Sequence, residues 1–113
     1  MNWLYFEREH WRDIYQLGLV RELERNEQKD DHRAALAIAQ TLIQVDHLRE
    51  AWHRAAMRAY TRLGKRKAAL IHYERCRQIL NEELGLPPSA STQALAKAIR
   101  SGQHPEKGTQ PHY

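Results

Sequence analysis

The chain has 113 residues, of which 42% are hydrophobic and 28% charged, and its 18 Lys and Arg against 14 Asp and Glu give a net charge of +4. That size and balance fit one soluble domain around one core, and neither a disordered nor a membrane-embedded class is needed. The positive charge is mild and mixed with negative charge, short of the concentrated footprint of a nucleic-acid binder. A single cysteine, Cys76, excludes an internal disulfide. The apolar runs are far too short for a transmembrane helix. The opening Met1-Asn2-Trp3-Leu4-Tyr5-Phe6-Glu7-Arg8 lacks the layout of a signal peptide, so a cytoplasmic location is expected.

Helical spacing predicts five helices and no strand. The first runs from Trp3 to about Arg25, with an apolar face of Trp11, Ile14, Tyr15, Gly18, Leu19 and Leu23 stepping by three or four. A polar connection, Asn26 to Asp31, ends on Asp30 or Asp31 as the cap of the next helix. The second helix spans His32 to Val45 and buries Ala35, Leu36, Ala39, Leu42 and Ile43. Asp46 is then expected to cap a third, Leu48 to Leu63, whose buried stripe is Trp52, Ala55, Ala56, Ala59, Tyr60 and Leu63. Gly64 stops it, because glycine enters the left-handed conformation cheaply. The fourth, Arg66 to Leu84, faces inward with Ala69, Leu70, Tyr73, Cys76, Leu80 and Leu84. Gly85 and Leu86-Pro87-Pro88 end it. A short fifth helix, Ser91 to Arg100, docks through Leu95, Ala98 and Ile99, and the tail from Ser101 reads as disordered.

Arg33-Ala34-Ala35-Leu36 returns as Lys67-Ala68-Ala69-Leu70 thirty-four residues later. That is the tetratricopeptide period. Tyr60, Gly64, Ala69 and Tyr73 fit parts of that pattern: alanine sits where two helices approach closely, and an aromatic fills the wider gap one turn on. His53, Ala56 and Met57 depart from it, as does Ala39 in the first pair. The expected fold is all-α, a tetratricopeptide-like right-handed superhelix of two helical hairpins plus a C-terminal capping helix. An ordinary bundle of amphipathic helices is the alternative.

Residues Trp3 to Arg100 also resemble the bacterial transcriptional activator domain of SARP-type regulators. Trp3, Glu7-Arg8 and Tyr15 are similar to that family's opening helix. Leu48-Arg49-Glu50, His53-Arg54 and Met57-Arg58-Ala59 are similar to its central one. Gly64-Lys65-Arg66, Ala69-Leu70 and Tyr73-Glu74-Arg75-Cys76-Arg77 are similar to the next. The most specific stretch is Leu80-Asn81-Glu82-Glu83-Leu84-Gly85-Leu86-Pro87-Pro88-Ser89, with Thr92 and Leu95 after it. The resemblance implies a regulatory module that follows a winged-helix DNA-binding domain in a longer chain and mediates dimerisation or contacts with neighbouring domains. No glycine-rich phosphate loop follows a strand, so no catalysis and no cofactor are expected, and direct nucleic-acid binding by this segment is not expected either. A free-standing tetratricopeptide adaptor for an acidic peptide or partner protein is the second reading.

Four residues are the candidate partner-binding set: Arg54, Arg58 and Arg62, spaced by four along one face of the third helix, and Trp3 near the terminus. Guanidinium forks bind carboxylates in pairs of hydrogen bonds, and tryptophan is favoured in interface centres. The bland reading of the arginines is a solvated face partly paired with first-helix glutamates such as Glu24. Lys65, Arg66 and Lys67 oppose the dipole of the helix they open, a surface cluster in the simplest reading. Seven histidines form no HExxH and no i,i+4 pair, so no metal site is expected. The doublets Asp30-Asp31 and Glu82-Glu83 lie at helix ends, where capping or solvation accounts for them.

Overall fold

The structure, a computed structural model, describes the backbone of residues 3–102 and the side chains of residues 10–102. Five helices follow one another: α1 (Trp3–Gln28), α2 (His32–Val45), α3 (Glu50–Arg62), α4 (Arg66–Leu84) and α5 (Ala90–Arg100). No strand occurs among the described residues. The helices stack in chain order: α2 lies between α1 and α3, α4 packs on α3, and α5 closes over α3 and α4.

The first and second helix hairpins turn the chain in the same way. After α1, Lys29 N–H donates to Arg25, Asp30 N–H to Glu27 and Asp31 N–H to Asn26, at 3.1, 3.2 and 2.9 Å. Thirty-four residues later Leu63 donates to Ala59, Gly64 to Thr61 and Lys65 to Tyr60, at 3.0, 3.0 and 2.8 Å. Each turn passes through one left-handed residue, Asp30 with φ 59° and Gly64 with φ 79°. Asp30 tolerates this because a short polar side chain is the least strained after glycine. These three bonds thus recur at matched positions in both turns, beneath a sequence repeat of only four matching positions.

Small residues then set the seams. Ala35 and Ala39 on α2, Ala55, Ala56 and Ala59 on α3, and Ala69 on α4 are all buried. Leu23, Ala35, Ala39, Leu42, Trp52, Ala55 and Ala56 make one cluster between the first hairpin and α3. Met57, Ala69, Tyr73, Ala96 and Ile99 make a second among α3, α4 and α5. Leu42, Met57 and Ile99 are among the largest wholly buried side chains, each stabilising by about 1.5–3 kcal/mol against exposure. Being central, α3 buries both flanks, including His53, Met57 and Thr61, which its apolar spacing alone does not mark.

One expected cap holds, and several other expectations need correction. Asp31 caps α2 through its side chain, accepting from Ala34 N–H at 3.1 Å. Asp46 does not cap α3: it closes α2, and its carboxylate accepts from Leu48 N–H at 3.2 Å in a local turn, while Arg49 precedes α3 without a side-chain cap bond. The fourth helix ends at Gly85, left-handed with φ 66°, and the last turn before it leaves Leu84 half exposed rather than inward. On α5 the buried stripe is Thr92, Ala96 and Ile99, with Leu95 and Ala98 only partly covered. The largest departure is in α1. Of its expected apolar face only Leu23 is buried, while Trp11, Ile14 and Tyr15 are 62%, 47% and 55% exposed. The helix has 26 residues against 14 in α2, so its first half runs past the end of its partner. The expected tail lies, beyond Gly102, outside the described residues.

Candidate functional site

The basic stripe on α3 has the predicted order, and the structure ties it to neighbouring helices. Arg54 donates to Thr92 Oγ1 at 2.9 Å. Thr92 is wholly buried at the start of α5, and its hydroxyl donates in turn to Glu50 Oε1 at 2.6 Å. Glu50 also accepts from Ser89 N–H at 2.9 Å. One carboxylate at the start of α3 therefore holds the entry of α5. Burial alone pushes the Glu50 carboxyl up, but its bonds from Thr92 and Ser89 and the nearby Arg54 charge outweigh this and hold it below its ordinary 4.5. Arg58 donates to Glu27 of α1 at 3.0 Å, with both side chains largely covered. Its α1 partner is one turn beyond the Glu24 that the spacing had suggested. Glu27, His32, Ala35, Arg58, Ala59 and Arg62 enclose a cavity of about 10 Å³, room for about one water molecule, and the Arg58 Nε–H is buried without a protein acceptor. Arg54, Arg58 and Arg62 thus face α1 and α5. Trp3, the fourth candidate, has its side chain outside the described residues.

The exposed apolar surface lies elsewhere. Trp11, Ile14 and Tyr15 recur at i, i+3 and i+4 along the free half of α1, with exposed Leu17 alongside. This half is open where α5 covers the opposite end of the stack. Of the other tryptophans, Trp52 is core, its indole N–H buried without an acceptor and the Arg49 guanidinium 5.6 Å from its ring centre. Lys65, Arg66 and Lys67 are exposed.

Sequence spacing missed a histidine pair that tertiary packing creates. His53 and His72 come from α3 and α4, with His53 Nδ1 and His72 Nε2 3.0 Å apart. His53 Nε2 lies 2.7 Å from the carbonyl of His47, which only accepts, so that nitrogen carries the proton and donates. Its Nδ1 must then accept from His72 Nε2–H. Burial, and then for His72 the His53 and Arg75 charges, lower both rings' proton affinity, His72 to about 4. His47 itself bonds Glu83 at 2.7 Å. No group of three His, Cys, Asp or Glu placed to hold a metal occurs among the described residues. Cys76 is buried, and burial, then the Glu50 charge, push its thiol up to about 11, where it stays protonated and unreactive. No described helix is long and apolar enough to cross a membrane.

A family model described as the bacterial transcriptional activator domain matches residues 1–100. The chain matches no curated protein and no solved structure.

Proposed function

Because the chain belongs to the bacterial transcriptional activator domain family, a regulatory family rather than a family of enzymes, we propose that it is a non-catalytic interaction module that docks protein through the free half of α1. The fold is read as tetratricopeptide-like: two hairpins repeating every thirty-four residues, with α5 as the cap of the far end. The module works in the cytoplasm as part of a transcriptional activator, and its partner is a second copy of itself or a winged-helix DNA-binding domain. The observation that carries this reading is the row Trp11, Ile14 and Tyr15, three large apolar side chains about half exposed on a helix that outruns its neighbour. Contiguous apolar surface of this kind marks interaction sites in soluble proteins. Trp3 opens the same helix and is proposed to join this contact.

The other reading, an adaptor gripping an acidic peptide on Arg54, Arg58 and Arg62, is less favoured. A ligand there would have to displace Thr92 from Arg54 and Glu27 from Arg58. The test is a double variant, Trp11→Asp with Tyr15→Asp, made in the full-length regulator. Activation is expected to fall at least tenfold with the melting temperature of the domain unchanged. Light scattering then separates the two partners, since a self-associating domain becomes monomeric. Unchanged activation in a folded double variant overturns the proposal.

A further inference from the structure

On the face of α3 turned away from its arginine stripe, beside the His53–His72 pair, lies an open groove of about 320 Å³. Its walls are consecutive turns of three helices. From α2 come Gln40, Ile43 and Gln44; from α3, His53 and Tyr60; from α4, His72, Arg75 and Ile79. The spacing within each helix, three, four or seven residues, puts every one of these side chains on one face. The volume is at the small end of ligand pockets, which run from about 300 to 1,000 Å³.

The polar groups have capacity left over. Gln40 Nε2 donates to the Tyr60 hydroxyl at 3.2 Å, so the Tyr60 proton remains free to be donated. His72 spends Nε2–H on His53, which leaves its Nδ1 as an acceptor. Arg75 makes no hydrogen bond or ion pair among the described residues, unlike Arg54 and Arg58 on the other face. The charged or titratable groups around His72 are His53 and Tyr60 of α3 and Arg75 of its own helix; α2 offers only amides and Ile43. There is no carboxylate in the lining, so its one positive charge, Arg75, has no opposite charge there, and Ile43 of α2 and Ile79 of α4 supply the apolar surface.

We propose that this groove binds a small carboxylic acid with an apolar body, its carboxylate on Arg75 and the Tyr60 hydroxyl and its body between Ile43 and Ile79. The guanidinium fork matches a carboxylate geometrically, and two isoleucines on opposite walls suit a flat or branched hydrocarbon rather than a sugar. The neutral His53–His72 pair forms the floor and fixes the separation of α3 and α4. A bound carboxylate favours the charged imidazole, so occupancy raises the His72 pKa above about 4, and by reciprocity binding tightens as the pH falls toward that value while the ligand's own carboxyl stays ionised.

The experiment titrates the folded protein with benzoate while following the His72 ring and the Gln40 and Gln44 side-chain amides by NMR. Benzamide serves as the uncharged match, and a blocked acidic peptide as the alternative source of carboxylate. Saturable benzoate shifts confined to the groove, absent with benzamide and accompanied by a rise in the His72 pKa, are expected. Arg75→Gln should weaken benzoate binding about tenfold or more, as loss of a charge-assisted contact does. Arg77→Gln, whose arginine is already paired with Glu74, should leave it unchanged. Equal binding of benzamide, no saturable shift, shifts spread over all arginines, indifference to Arg75→Gln, or tighter binding of the peptide in the groove would each overturn the assignment.

Discussion

The two hairpins have the same turn and the same alanine seam, yet their outer surfaces differ. In α4, Ala69 packs on α3, while Tyr73, Cys76 and Leu80 are buried and α5 closes the end. In the first hairpin α2 is equally covered, but α1 is the outermost helix and half of it has no neighbour. What decides burial is therefore position in the stack as well as pattern within a helix. An apolar stripe at helical spacing means only that something must cover it. At the C-terminal end α5 does so; at the N-terminal end the described chain supplies nothing.

The largest expected effect breaks both seams alike. Ala69→Arg puts an unpaired charge where the side chain is 0% exposed, and Ala35→Arg does the same at 1%. Each should cost about 3 kcal/mol or more, lowering the melting temperature by roughly 12–20 °C or preventing folding. Circular dichroism melts read this directly. If one seam were dispensable, its variant would melt with the wild type and the equivalence of the hairpins would be lost.

These seams were legible in the sequence because alanine at a repeated spacing is a local signal. All five helices, and Gly64 and Gly85 as the left-handed stops of α3 and α4, were legible from equally local signals. The contacts that join helices were not. The bonds of Glu50 to Thr92 and Ser89 span about forty residues, and no periodicity links them. Thr92 stood out in the sequence as part of the family-like stretch, yet its side chain is buried and serves α3. The His53–His72 pair escaped because a search within one helix cannot find partners from two. The α1 face escaped for the converse reason: its spacing is local and correct, and exposure is decided elsewhere.

A second test addresses how firmly the far end is closed. Thr92→Val keeps the shape but removes the hydroxyl between Arg54 and Glu50, leaving both with one partner fewer. The expected loss is about 1–3 kcal/mol, measured by urea titration. It should carry a pH signature. Glu50 is held below its ordinary 4.5, so its contribution is complete above that value and disappears as the pH falls through the lower folded-state value. Thr92→Val should therefore flatten the stability profile below about pH 4.5. A variant as acid-sensitive in that range as the wild type would show that the carboxylate is not what holds α5.

The smallest effect sharpens the comparison at the turns themselves. Gly64 and Asp30 occupy equivalent left-handed positions, one without a Cβ and one with. A Cβ built on Gly64 meets nothing within 4 Å, so Gly64→Ala carries only the backbone penalty of the left-handed region, about 1–2 kcal/mol. Asp30→Gly relieves that same strain, but it frees the unfolded chain, with entropy loss on folding of about 0.5–1 kcal/mol, and gives up whatever the Asp30 carboxylate contributes, including its contact with His32 at 4.0 Å. The net change there should lie within about 0.5 kcal/mol of zero, far from the loss at Gly64. Paired melts of the two variants would show this asymmetry. Equal destabilisation at both sites would mean that the matched hydrogen bonds, Asp31 to Asn26 and Lys65 to Tyr60, close turns that are energetically different, and that the likeness of the hairpins stops at their geometry.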